Sequence, residues 1–185
     1  MYMNKNKMLV SFFIVSESIF FLMLILAYVN FHRSVTDGPT AENSLNPIKT
    51  GIFSLFLLAS SLTIWFAGKS LQRKNHFMLC IWLLLTILLG VTFLFGQGLE
   101  WVGLIKQDIT INRNVFGTTF FTLTGFHGFH VTVGLIMLLI LLGLAIAGDF
   151  RGPESDAVES VSIYWHFVDG VWIVVFSVIY LWAFV

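Results

Sequence analysis

A polytopic, all-α membrane bundle of five transmembrane helices is the fold class that this sequence predicts. Three observations lead there. Of the 185 residues, 57% are hydrophobic and 11% are charged, with a mean hydropathy of +0.88, whereas soluble domains carry about 25% charged residues. Five apolar stretches, residues 8–31, 48–68, 77–103, 115–147 and 161–185, reach the roughly 20 residues that a helix needs to cross a hydrocarbon core about 30 Å thick. Between them lie only short polar connections, HRSVTDGPTAENSLNP, GKSLQRKNH, LIKQDITINRN and GDFRGPESDAVES.

Each element follows in order. Two lysines in MYMNKNKM precede span one, as in a signal peptide. The apolar run is longer than an h-region and no small-residue cleavage site follows, so it reads as a retained span, and it carries Glu17. Gly38, Pro39 and Pro47 mark the first connection as a loop. Span two leads into the basic loop of Lys69, Arg73 and Lys74. Span three ends with Gln97, Glu100 and Trp101, where Glu100 is expected to reach headgroups or water. Span four is longer than a perpendicular helix needs, so it tilts or projects, and it carries His127 and His130. Gly125, Gly128 and Gly134 along it leave room for a neighbouring helix to approach closely. Span five follows Gly152-Pro153 and bears His166 and Asp169. Trp101, Trp165 and Trp182 fall near predicted span ends and fit an interfacial belt. Trp172 lies deeper and needs a partner or a packing niche. No connection is long enough for a soluble domain, so residues 1–185 form a single transmembrane domain.

Net charge is zero, so nothing draws the chain to nucleic acid. Cys80 is the only cysteine and cannot form an internal disulfide. With the N-terminus inside, Lys5, Lys7, Lys69, Arg73, Lys74 and Arg151 share the inner side, against Arg33, Lys49, Lys106 and Arg113 outside. Positively charged loops favour the cytoplasmic side, which places the C-terminus outside.

Ionisable groups inside a bilayer are costly, so they face the bundle interior and find partners. Glu17, His127, His130, His166 and Asp169 are the candidates. Glu17 lies roughly 15 Å beyond Lys7, and Asp169 roughly 12 Å into span five, so the two carboxylates share a depth. Residues three apart are helical neighbours, so His127 and His130 form a narrow polar stripe, as do His166 and Asp169. Three readings stand open at this point. The groups could bond across helices and set the bundle's register. Two histidines with His166 and a carboxylate could bind zinc or iron, although no cysteine cluster or HExxH pattern accompanies them. Glu17 could hold or pass a proton, since Glu, Asp and His mark proton relays in membranes.

The same residues carry a resemblance. SESIFFLMLILAY in span one, QGLEWVGL at the end of span three, TGFHGFHVTVGLI in span four and YWHFVDGVWIVVFSVIYLW in span five resemble, in this order, the signature segments of subunit III of the haem–copper terminal oxidases. The match covers four of five spans. It resembles the short bacterial form with five helices, which lacks the first two helices of the longer form and the phospholipid-holding cleft they help to build. Gly170 stands where the family usually has Val. The resemblance implies a non-catalytic subunit of an oxidoreductase in the bacterial inner membrane, within aerobic respiratory electron transport. It implies no metal and no cofactor in this chain, with haem and copper in partner subunits I and II. Membrane lipids, phospholipid among them, and a respiratory supercomplex are further implied partners. The subunit would stabilise subunit I, sustain proton uptake and give oxygen an apolar route. Ser16 before Glu17 favours a cytochrome c oxidase, with a quinol oxidase as the alternative. From a different class, a stand-alone proton-coupled transporter would need broken helices or repeats, and neither is evident. Exchanging Glu17 for glutamine is expected to loosen assembly or hasten inactivation while sparing the haem chemistry.

Overall fold

The computed structural model describes residues 5–32, 41–148 and 155–182, and these are helical apart from short connections. The elements are α1 (Lys5–His32), the single turn α2 (Ala41–Ser44), α3 (Pro47–Gln72), α4 (His76–Lys106), α5 (Val115–Ala147) and α6 (Ser155–Phe176). A π-helical turn, Ser177–Leu181, continues α6. Five of these helices are long and apolar enough to cross a membrane. The last span opens at Ser155 rather than near residue 161, because Asp156 and Glu159 keep its first turns out of an apolar reading.

Three asparagines start three of the spans. The side-chain oxygens of Asn46, Asn75 and Asn114 accept from the backbone N–H groups of Lys49 (3.1 Å), Met78 (3.1 Å) and Gly117 (2.7 Å). Each satisfies a donor that the first helical turn leaves open. Pro47 occupies the first position of α3, where the missing N–H costs nothing. Gly148 closes α5 with φ +75°, the left-handed conformation that favours glycine. Replacing Asn114 with alanine should cost about 1 kcal/mol, checked as a lower thermal midpoint of the purified protein.

Helices α3 and α4 form a tight hairpin through Arg73, Lys74 and Asn75, with Lys74 at φ 55°. Helices α3, α4, α5 and α6 enclose the core, whose largest sealed side chains include Trp165, Trp172, Tyr180, Phe93 and Phe120, and Tyr28 of α1 is sealed as well. Helix α1 lies outside this group and packs on α5 and α6. Only 6% of its most apolar window is buried, against 33–39% for the other four spans. Its exposed side chains, Phe12, Val15, Ile19 and Met23 among them, face what would be lipid or another chain.

Trp165 corrects the interfacial-belt expectation. It is fully buried, and its indole N–H donates to Ser60 Oγ at 2.8 Å. The earlier start of α6 moves it away from the helix end and into the core. Trp182 is exposed near the end of the described chain, and Trp101 is half-buried with its N–H on Thr124 Oγ1 at 3.2 Å. Glycine spacing is also redistributed. A Cβ on Gly134 would stand 2.8 Å from the Trp165 ring, and one on Gly90 would stand 2.9 Å from the other edge of the same indole. On Gly125 and Gly128 the nearest atoms would be at 3.4 and 3.9 Å, which is ordinary contact. Close approach is therefore required at Gly134 and not at its two neighbours.

Candidate functional site

The polar groups of the interior form separate clusters rather than one network. At the first, Glu17 of α1 meets His130 of α5, with Oε2 3.1 Å from Nε2. His130 Nδ1 lies 2.7 Å from the Phe126 carbonyl oxygen. A carbonyl only accepts, so Nδ1 carries a proton. The contact between Nε2 and Glu17 then holds one proton, either as imidazole and carboxylic acid or as imidazolium and carboxylate. The pair is neutral as a whole in both forms, which suits a site that an isolated charge could not occupy. Tyr164 of α6 completes it by donating to the His130 carbonyl oxygen at 3.0 Å. Spans one, four and five are thus tied at one point.

His127 does not join that tie. Residues three apart on a helix differ by about 60° in direction, enough to send His130 to α1 and His127 into the core. There it is 1% exposed and stacks on Trp172, with ring centroids 4.8 Å apart and an interplanar angle of 27°. Phe93 meets it edge-on at 5.9 Å. Neither ring nitrogen has a hydrogen-bond partner among the described residues.

His166 and Asp169 turn to span two instead of spans one and four. Ser61 of α3 donates to Asp169 Oδ2, and its hydroxyl lies 3.0 Å from His166 Nδ1. Asp169 is 2% exposed, whereas His166 is exposed at the protein surface. Gly170, beside Asp169, opens a groove between α1 and α6 lined by Ser18, Phe21, Leu22, Phe167 and Val174.

Glu100 also departs from expectation, because hydroxyls claim it before headgroups can. Thr50 Oγ1 and Tyr180 OH each donate to it at 2.6 Å. The π-helical turn supplies Tyr180, and such a turn shifts the side chains that follow it around the helix axis. Replacing Tyr180 with phenylalanine should cost about 1–2 kcal/mol, read as a lower thermal midpoint, with Thr50 still holding the carboxyl group. Gln97, one turn before Glu100 and Trp101, is buried with neither amide atom partnered among the described residues.

Helix α3 supplies partners of its own. Thr63 and Thr86 share a hydrogen bond at 2.7 Å, and Ser54 accepts the Trp172 N–H at 2.8 Å. With Thr50, Ser60 and Ser61, these hydroxyls make α3 the common acceptor and donor strip for α4 and α6. Thr50, Ser54 and Ser61 recur at helical spacing, and that signal was available in the sequence.

No group of three or more His, Cys, Asp or Glu side chains among the described residues is placed to hold a metal ion. Both nitrogens of His130 are engaged, and rings enclose His127.

Comparison with known proteins identifies the family. The profile of the cytochrome c oxidase subunit III family matches residues 3–184. A probable cytochrome c oxidase subunit 3 of Mycobacterium leprae is 38% identical over 165 residues, covering 89% of this chain and 82% of the relative. The Synechocystis subunit 3 is 36% identical over 172 residues, covering 91% and 72%. The subunit 3 of Aedes aegypti is 37% identical over 182 residues, covering 92% of this chain and 67% of the longer insect protein. This chain belongs to the cytochrome c oxidase subunit III family.

Proposed function

We propose that this chain is the bracing third subunit of a bacterial cytochrome c oxidase and carries no redox centre of its own. It packs beside subunits I and II in the inner membrane, steadies subunit I, sustains its proton uptake and offers oxygen an apolar path. The observation that carries this reading is the Glu17–His130 pair. It spends two ionisable groups on joining α1 to the bundle and leaves neither His130 nitrogen for a metal. The shared proton can sit on either group without leaving a net charge in the bilayer, and its release would leave one negative charge on the pair. Phe-, Leu- and Ile-rich outer faces suit a small apolar molecule such as dioxygen, and the groove beside Gly170 suits a phospholipid chain.

The N-terminus faces the cytoplasm in this reading. Lys69, Arg73 and Lys74 then sit at the inner interface, where the Lys69 ammonium lies 3.5 Å over the Trp65 ring. Arg33 and Arg151, which enter the same charge argument, lie outside the described residues.

The test is to purify the native assembly in mild detergent through a tag on this chain. A reduced-minus-oxidised spectrum and mass spectrometry of the accompanying chains follow. Haem bands together with subunits I and II support the reading, and a cytochrome c-binding copper domain in subunit II separates it from a quinol oxidase. A colourless chain that purifies alone overturns it.

A further inference from the structure

Two buried polar side chains in the core have no partner among the described residues. Gln97 of α4 is 6% exposed with both amide atoms unpaired, and His127 of α5 is 1% exposed with both ring nitrogens unpaired. A helix interior surrounded by hydrocarbon offers no bulk water to satisfy them, so each carries the full desolvation cost of an unmade hydrogen bond.

They lie at similar heights in the bundle. Helices α4 and α5 run antiparallel, and two contacts fix their relative height. Phe93 meets the His127 ring at 5.9 Å, and eight residues later Trp101 donates to Thr124 at 3.2 Å. Gln97 is one turn from each of Phe93 and Trp101 on the same face of α4. Its amide therefore lies at a height between His127 and Thr124, which are themselves one turn apart on α5.

We propose that a bound water occupies this part of the core and bridges the Gln97 amide to the His127 imidazole. An amide supplies two donors and an acceptor, and a neutral imidazole supplies one donor and one acceptor. Together they offer the two to four polar contacts that an internal water requires. The water joins α4 to α5 at mid-bundle, where aromatic rings otherwise provide the contacts. It also fixes which His127 nitrogen bears the proton, independently of the Glu17–His130 pair one turn away.

Brief X-ray radiolysis of the purified native assembly tests this, because bound water generates hydroxyl radical in place. Trp172 and Phe93, which line His127, should be oxidised well above Phe120, an equally sealed ring packed between Phe116 and Phe121. Gln97→Leu should bring that oxidation down to the Phe120 level. If Trp172 and Phe93 match Phe120 in the unaltered protein, the proposal fails. It fails equally if Gln97→Leu leaves their oxidation unchanged. Should that variant not assemble, a density map of the unaltered assembly decides. A peak about 2.7–3.2 Å from both side chains supports the water, and a direct amide–imidazole contact overturns it.

Discussion

Replacing Trp165 with alanine should destabilise the bundle by about 3–5 kcal/mol, the range for removing a large aromatic side chain from a sealed core. Trp165 is fully buried, Gly90 and Gly134 flank its indole, and its N–H is held by Ser60. The vacated space would adjoin two glycines, which bring no side chain to refill it. Ser60 still donates to the Leu57 carbonyl oxygen, so the loss is mainly of packing. Trp165→Phe should therefore cost less, about 1–2 kcal/mol for the missing hydrogen bond and part of the ring. Gly134→Ala should cost about 1–3 kcal/mol from the opposite cause, overpacking against the same indole. Thermal midpoints of the three purified variants check this order. Equal midpoints for Trp165→Ala and Trp165→Phe would refute the cavity argument.

Glu17 gives the second large effect. Removing one member of a buried charge pair costs about 3–5 kcal/mol, and the 21% exposure of the Glu17 side chain reduces the expectation for Glu17→Leu to about 2–3 kcal/mol. His130 would keep its bond to Phe126 but lose the partner of Nε2. Glutamine behaves differently. Its amide can donate to Nε2 in the place of a protonated carboxyl, so Glu17→Gln should cost less than about 1 kcal/mol. The geometry thus softens the expectation that glutamine loosens assembly, while the pair's exchangeable proton is lost all the same. Tag pull-down yield and thermal midpoint measure the structural part. Turnover-dependent inactivation measures the proton part. If Glu17→Gln destabilises as much as Glu17→Leu, the shared-proton account of the pair is wrong.

The five spans were legible because composition and run length announce them. The polar partners were not. His127 and His130 share a stripe in sequence, but the helical step between them directs one to Trp172 and the other to Glu17. His166 and Asp169 look suited to His127 and His130, yet α6 packs its Asp169 face on α3, where Ser61 waits. Sequence spacing states which residues share a helix face and cannot state which neighbour that face meets. Trp165 was misplaced for a simpler reason. Two acidic residues hid the first turns of α6, and a tryptophan near an apparent helix end reads as an interfacial anchor. The asparagine caps and the hydroxyl strip of α3 were present in the sequence and pass unremarked when attention goes to charges alone.

Helix α1 has a practical consequence of its own. With 6% of its apolar window buried, the surrounding amphiphile supplies most of its solvation, and the contact between Glu17 and His130 supplies a polar latch. A short-chain, aggressive detergent competes for that apolar surface and should peel α1 away while the other four spans stay together. Extraction in long-chain detergent or directly into nanodiscs keeps the first helix seated, so the preparation chosen determines how much of this subunit a biochemist actually recovers.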